Sequence, residues 1–326
     1  GNLIHQCLEC VLSSCKNKEE FDKLSRNQIS KIIEKCADDY FESNMGGVIK
    51  RNARLESNLK RIKENIFKII SHLQNELKQS EFRPINFEFN INEKGIANLT
   101  GDNGIEIVIR GVIDRVDIYE SNGEKYIRVI DYKTGKKIFS MSSLLYGINL
   151  QMLLYMFTIT GSGGAYSDCN PAGVLYMPSG EIVCGRDRDE SDNMEEYLNK
   201  HYKMNGVVLN DRAVLNAMEK DIQGIYIPAK LLKGDTGDGE LLLNKRSSSC
   251  LTSSQFKKLR QHTEKIIIDV CNELYSGNID ADPLVISGGS PCDYCDYWSV
   301  CGNVPCEKYR EADKNAEEKM LKIISD

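Results

Sequence analysis

The chain has 326 residues, a formal net charge of -6 and a sequence pI near 5.5. That length can bury a substantial core, as one large domain with an appended lobe or as two small domains. The acidic balance excludes the global basic field with which proteins bind nucleic acid indiscriminately, so any DNA contact must be local.

In chain order, Leu3 to Leu12 has helical period. A longer helix is expected from Arg54 to Lys78, with Leu55, Leu59, Ile62, Ile66, Ile69, Leu73 and Leu77 as its buried stripe. Pro84 to Ile91 reads as a strand, and Ile107 to Tyr119 and Lys125 to Tyr132 read as two more, on either side of Asn122-Gly123. Ser140 to Thr160 returns to a helix. The apolar stretch within it, Leu144 to Ile159, is interrupted by Gly147, Asn149 and Gln151, which predicts a buried helix and not a membrane span. Gly161 to Pro171 is a loop, Gly173 to Val183 looks like a hairpin around Ser179-Gly180, and Arg186 to Met218 is polar with helical pieces. Gly234 to Glu240 reads as mobile. Thr252 to Gln255 fits a capping box opening a helix towards Gly277, and Pro283 and Ser287 to Ser290 then lead into a cysteine cluster. Glu307 to Asp326 reads as a charged, solvated helix.

The Asn122-Gly123 pair predicts a two-residue type I′ turn, which fixes the register of the strands it joins. Ser121 then faces Glu124, Tyr119 faces Tyr126, Asp117 faces Arg128, Val116 faces Val129, Asp114 faces Asp131 and Val112 faces Lys133. Tyr119 with Tyr126 and Asp117 with Arg128 are favourable cross-strand pairs on one face. On the other face Asp114, Asp131 and Lys133 stand among Val112, Val116, Ile118, Ile127 and Val129. Two unit charges about 5 Å apart repel by roughly 3 kcal/mol at an effective dielectric of about 20. A divalent cation offsets that repulsion best, and Asp114, Asp131 and the backbone carbonyl of Tyr132 are hard oxygen ligands of the kind Mg²⁺ takes. A shared proton or a solvated hairpin would be the bland account of the same residues. Arg110, Arg115, Lys133, Lys136 and Lys137 gather around this hairpin, as a phosphate track or simply as a solvated face.

Gln151 and Tyr155, four apart, share one helix face. Twelve cysteines without secretory context point to a reducing cytoplasm, where clustered thiols are metal ligands more often than disulfides. Cys292, Cys295 and Cys301 form such a cluster, and Cys306 could complete a zinc site of four thiolates. Cys7, Cys10 and Cys15 read as buried helix residues, and Glu88, on the preceding strand, could add a further carboxylate but is read as structural.

Gly111-Val112-Ile113-Asp114-Arg115-Val116-Asp117, Val129-Ile130-Asp131-Tyr132-Lys133-Thr134-Gly135 and Gln151-x-x-x-Tyr155 together resemble the RecB-like branch of the PD-(D/E)XK nucleases. Gly1-Asn2-Leu3-Ile4-His5 is similar to that branch's first motif. The run from Tyr146 to Gln151, Pro171 to Tyr176 and Pro291 to Tyr297 resemble the nuclease domain of the B subunit of bacterial AddAB helicase-nucleases. The resemblance spans Gly1 to about Gly302. It implies a restriction-endonuclease-like α/β core, a central mixed sheet flanked by helices, with a C-terminal cysteine-cluster lobe.

By the same resemblance His5, Asp114, Asp131 and the Tyr132 carbonyl hold a catalytic Mg²⁺ or Mn²⁺, and Lys133 orients or activates the attacking water. Gln151 and Tyr155 contact substrate. The implied activity is exonucleolytic hydrolysis of single-stranded DNA from the 5′ end during double-strand break repair, in a cytoplasmic heterodimer with a helicase-nuclease A subunit. Cys292, Cys295 and Cys301 are implied ligands of a 4Fe-4S cluster whose first cysteine precedes the Gly1 motif. A chain opening on Gly1 is expected to be a piece of a longer polypeptide, and its cluster is expected to be incomplete. The expected layout is a helical part at 1–80, a nuclease core at 81–276 with an insertion at 161–249, the cysteine segment at 277–306 and a tail helix at 307–326. No Gly-x4-Gly-Lys-Ser/Thr phosphate loop occurs, so ATP hydrolysis is expected elsewhere. The rival readings are a CRISPR-associated RecB-like nuclease and an inactive module stabilised by zinc or iron-sulfur.

Overall fold

The structure, a computed structural model, describes residues 2–45, 53–91, 99–101, 104–135, 137–181, 194–232, 241–244, 246, 248–286, 289–301 and 309–325. Helices α1 (Asn2–Ser13), α2 (Lys18–Asp22), α3 (Arg26–Met45) and α4 (Ala53–Gln79) come first. Strand β1 (Arg83–Asn90) follows, then the short pair β2 (Leu99–Thr100) and β3 (Glu106–Ile107), then β4 (Val112–Ser121) and β5 (Glu124–Lys133). Next come α5 (Met141–Leu144), α6 (Gln151–Ile159), β6 (Asn170–Pro178), α7 (Met194–Tyr202), β7 (Asn205–Leu209) and α8 (Arg212–Met218). The chain closes with β8 (Cys250–Leu251), α9 (Ser253–Tyr275), β9 (Leu284–Val285), β10 (Arg310–Glu311) and α10 (Ala316–Ile324). Among the described residues six strands form one mixed sheet in the order β1-β4-β5-β6-β7-β8, with β5–β6 and β7–β8 parallel. Helices flank it, as expected.

The hairpin of β4 and β5 is the centre of this sheet. Asn122 and Gly123 both have positive φ, 53° and 81°, as a type I′ turn demands. The ladder pairs Ser121 with Glu124, Tyr119 with Tyr126, Asp117 with Arg128 and Val116 with Val129, the register counted out from the turn. It stops at Arg115 and Ile130. The expected pairs Asp114–Asp131 and Val112–Lys133 are not ladder pairs, because the Asp114 carboxylate itself accepts the Tyr132 N–H at 2.6 Å. The strands part there, and Val112 is exposed and not on an apolar buried face.

Behind the hairpin lies a charge cluster that the surface pairing of Asp117 with Arg128 did not foretell. Arg115, Asp117, Arg128 and Glu76 of α4 are each 1% exposed or less. Arg115 Nη2 lies 2.9 Å from Asp117 Oδ2 and 3.3 Å from Glu76 Oε2, and Arg128 Nη2 lies 2.6 Å from Glu76 Oε1 and 2.8 Å from Asp117 Oδ2. Arg115 also donates to Tyr132 Oη at 3.3 Å, and Arg128 stacks on Phe82. Two cations and two anions cancel, which is what makes their burial tolerable. Arg115 therefore belongs to the core and not to a basic surface. Lys136 lies outside the described residues.

Other departures have local causes. The single helix expected at Ser140 to Thr160 is two, because Gly147 and Asn149 take φ of 75° and 66° between α5 and α6. β6 pairs with β5 and with β7, and the second arm of the hairpin expected around Ser179-Gly180 runs into residues 182–193, which lie outside the described residues, as do 233–240. Both β6 and β7 fall within 161–249, so that stretch contributes to the sheet. The α9 capping box forms as expected between Thr252 and Gln255. The tail helix α10 is not solvated all round, since Ala316, Met320 and Ile324 bury one face against α5 and α9. No described helix is long and apolar enough to cross a membrane.

Candidate metal centre

His5 enters from α1, whose Leu3, Ile4, Cys7, Leu8 and Val11 bury one side and leave the imidazole at the rim. Its Nδ1 lies 3.3 Å from Asp114 Oδ2 and 4.0 Å from Glu88 Oε1. The hydrogen bond that its ring N–H gives to Asp114 outweighs burial and raises the His5 pKa above its ordinary value. Glu88 comes from β1, flanked by the Phe87–Arg115 and Phe89–Ile113 pairs, and so sits across from Asp114. Its φ of 43° is unusual for a side chain inside a strand and costs about 1–2 kcal/mol. Burial, with Asp114 adding to it, raises the Glu88 pKa. Ligand atoms of His5, Glu88 and Asp114 lie within 4.8 Å of one another, the one such group among the described residues.

Asp131 stands just outside that group, 4% exposed, with Lys133 Nζ 2.6 Å from its Oδ2. That ammonium offsets the charge of the buried Oδ2, which has no other partner among the described residues. Burial raises the Asp131 pKa, Lys133 opposes that, and Asp114 reinforces it. A buried carboxylate beside a His–Glu–Asp group is the donor set that suits a divalent cation. Across the strand opening, Gln151 is exposed at the start of α6 and donates to Tyr155 Oη at 3.1 Å. The Tyr155 phenol lies on the backbone of Gly111, three residues before Asp114, where a Cβ would overlap it.

The chain matches the profile of the PD-(D/E)XK nuclease superfamily over residues 1–302. It belongs to that superfamily. A Clostridium acetobutylicum protein named as the B subunit of an ATP-dependent helicase/deoxyribonuclease is 28% identical over 340 residues, covering 99% of this chain and 28% of its own length. Proteins of the same name from Clostridium novyi and Clostridioides difficile are 31% and 30% identical, covering 100% and 86% of this chain and 28% and 25% of their own lengths. The chain thus spans little more than a quarter of these curated relatives.

Within this PD-(D/E)XK fold, the geometry sets Glu88 beside His5 and Asp114, as the further carboxylate that the sequence offers but does not single out. No turn indexes the register of β1, so the sequence alone does not say which side chain of β4 Glu88 faces. The cysteines differ too. Cys7 is buried, but Cys10 and Cys15 are only half-buried. Cys292 is half-buried and Cys295 and Cys301 are exposed, and among the described residues their sulfurs do not converge as a ligand group. Cys306 lies outside the described residues.

Proposed function

We propose that this chain is the nuclease domain of a helicase-nuclease B subunit and hydrolyses phosphodiester bonds in single-stranded DNA with Mg²⁺ or Mn²⁺. The observation that carries the reading is the convergence of His5, Glu88 and Asp114 beside the Asp131–Lys133 pair at the open end of the hairpin. His5, Asp114, Asp131 and the Tyr132 carbonyl would hold the ion, and Glu88 is added to them from the geometry. When bound, the ion supplies Lewis acidity that stabilises charge developing on the phosphoryl group.

The remaining work falls to side chains. Lys133, held by Asp131, orients the attacking water and stabilises negative charge in an in-line displacement. Tyr155 and Gln151 face the strand opening and position the sugar-phosphate backbone. The names of the relatives support a partner helicase subunit, and the resemblance of the motifs supports entry from the 5′ end. Cys292, Cys295 and Cys301 would join a 4Fe-4S cluster only with a fourth ligand from elsewhere.

The test is digestion of single-stranded DNA by the full-length protein with its partner subunit, comparing the parent with Asp114→Ala and Lys133→Ala. Loss of at least about a hundredfold in either variant is expected. Equal digestion by all three would refute the site.

A further inference from the structure

The helix that carries His5 holds a second reactive group. A cleft of about 460 Å³ is lined by Asn2, His5, Gln6, Glu9, Cys10, Ser13 and Glu88. Cys10 faces this cleft half-buried, and its sulfur lies 2.7 Å from that of Cys36 on α3. That is closer than two unbonded sulfurs rest. Cys36 is 4% exposed, and burial raises its pKa, so it is not the thiol that meets an oxidant first. Cys7, fully buried, also hydrogen-bonds Cys36, but it does not line the cleft.

We infer that Cys10 and Cys36 are a redox pair that closes to a disulfide and staples α1 to α3 beside the metal-site cleft. The oxidant is a low-molecular-weight disulfide, RSSR. The Cys10 thiolate attacks one of its sulfurs and releases RS⁻, leaving a mixed disulfide at the cleft wall. The Cys36 sulfur then attacks the Cys10 sulfur, the Cys10–Cys36 bond forms, and the second RS⁻ leaves with the Cys36 proton. Two cysteine thiols lose two electrons, and RSSR becomes two RSH. The bond pins α1 at a point five residues from His5, limiting how far that imidazole can swing from Asp114. This chemistry is independent of whether the cleft hydrolyses DNA.

The test uses the full-length protein, reduced, desalted, exposed to glutathione disulfide, alkylated and mapped by mass spectrometry. A cross-linked peptide joining Cys10 to Cys36 is expected, reversible by dithiothreitol, together with hydrogen exchange in α1 slowed at least about tenfold in the oxidised form. In Cys10→Ser, Cys36 is expected to remain a free thiol. Recovery of both cysteines as alkylated thiols, or as separate glutathione adducts, would overturn the inference. So would Cys36 linked to Cys7. The map of the parent protein decides the matter even where Cys10→Ser folds poorly.

Discussion

The Asp114 carboxylate takes the backbone N–H of Tyr132 at 2.6 Å, in the place where a ladder carbonyl of β4 would otherwise accept it. The hydrogen bond holds the hairpin open at the end where His5 and Glu88 arrive. Asp114→Asn keeps the size of the side chain and removes its charge. It is expected to weaken Mn²⁺ binding at least about tenfold with the helical circular dichroism unchanged. Isothermal titration of the two proteins with Mn²⁺ checks this, and equal affinities would contradict it.

Glu88 joins a strained backbone to the proposed metal site. Glycine accepts a φ of 43° without the Cβ penalty, so Glu88→Gly should be no less stable than the parent towards urea. The same change removes a carboxylate from the cation group and should raise the Mn²⁺ needed for half-maximal digestion about tenfold or more. A stable variant with an unchanged Mn²⁺ requirement would return Glu88 to a purely structural role.

Gly111 tests the proposed substrate side without touching the proposed metal ligands. A Cβ there overlaps the Tyr155 phenol, so Gly111→Ala must push that ring off the strand and with it the Gln151 amide that donates to it. Mn²⁺ affinity should hold within about twofold while KM for single-stranded DNA rises about tenfold. A rise in the Mn²⁺ dissociation constant with KM unchanged would place Tyr155 in the metal site instead.

The buried chemistry behind the hairpin predicts a pH effect. His72 on α4, packed against Tyr202 and Tyr226, has its pKa lowered by burial to about 4. A depressed value means that the unfolded chain takes up the proton first, so stability present above about pH 6.5 drains away as the pH falls towards 4. Between pH 6.5 and 5 the loss from this one group is about 1.5 kcal/mol. Urea unfolding at the two pH values, in the parent and in His72→Gln, checks it: the drop should be smaller in the variant by about that amount. In the cluster beside it, burial would raise the Glu76 pKa, but Arg128 and Arg115 outweigh it and hold it below the ordinary range. Glu76→Gln leaves Arg115 and Arg128 sharing Asp117 alone, with one buried positive charge in excess, and should cost about 3–5 kcal/mol in urea unfolding at about pH 7.

The hairpin was legible because a two-residue turn fixes every pair that follows from it, down to Arg115 and Ile130. Where the ladder ends, counting ends too, and the actual neighbours of Asp114 come from a helix more than a hundred residues earlier and from a strand with no turn to index it. The Glu76 cluster had a trace in the sequence: a carboxylate three residues after Leu73, next to Leu77, falls inside the apolar stripe of α4. Its partners could not be read, since Asp117 and Arg128 look complete as a surface pair. β7 escaped notice because five residues, Asn205 to Leu209, are too short to show alternation within a polar stretch. The break between α5 and α6 turned on Asn149 adopting a left-handed conformation, which Asn tolerates but does not announce.

The central claim is that one divalent ion sits among His5, Glu88, Asp114 and Asp131. Anomalous diffraction from crystals soaked in Mn²⁺ tests it most directly. A peak is expected at roughly 2.1 Å from oxygens of the Asp114 carboxylate, within ligand reach of His5 Nδ1. A saturating soak that leaves this position without a peak, or puts Mn²⁺ only at distant surface carboxylates, would contradict it.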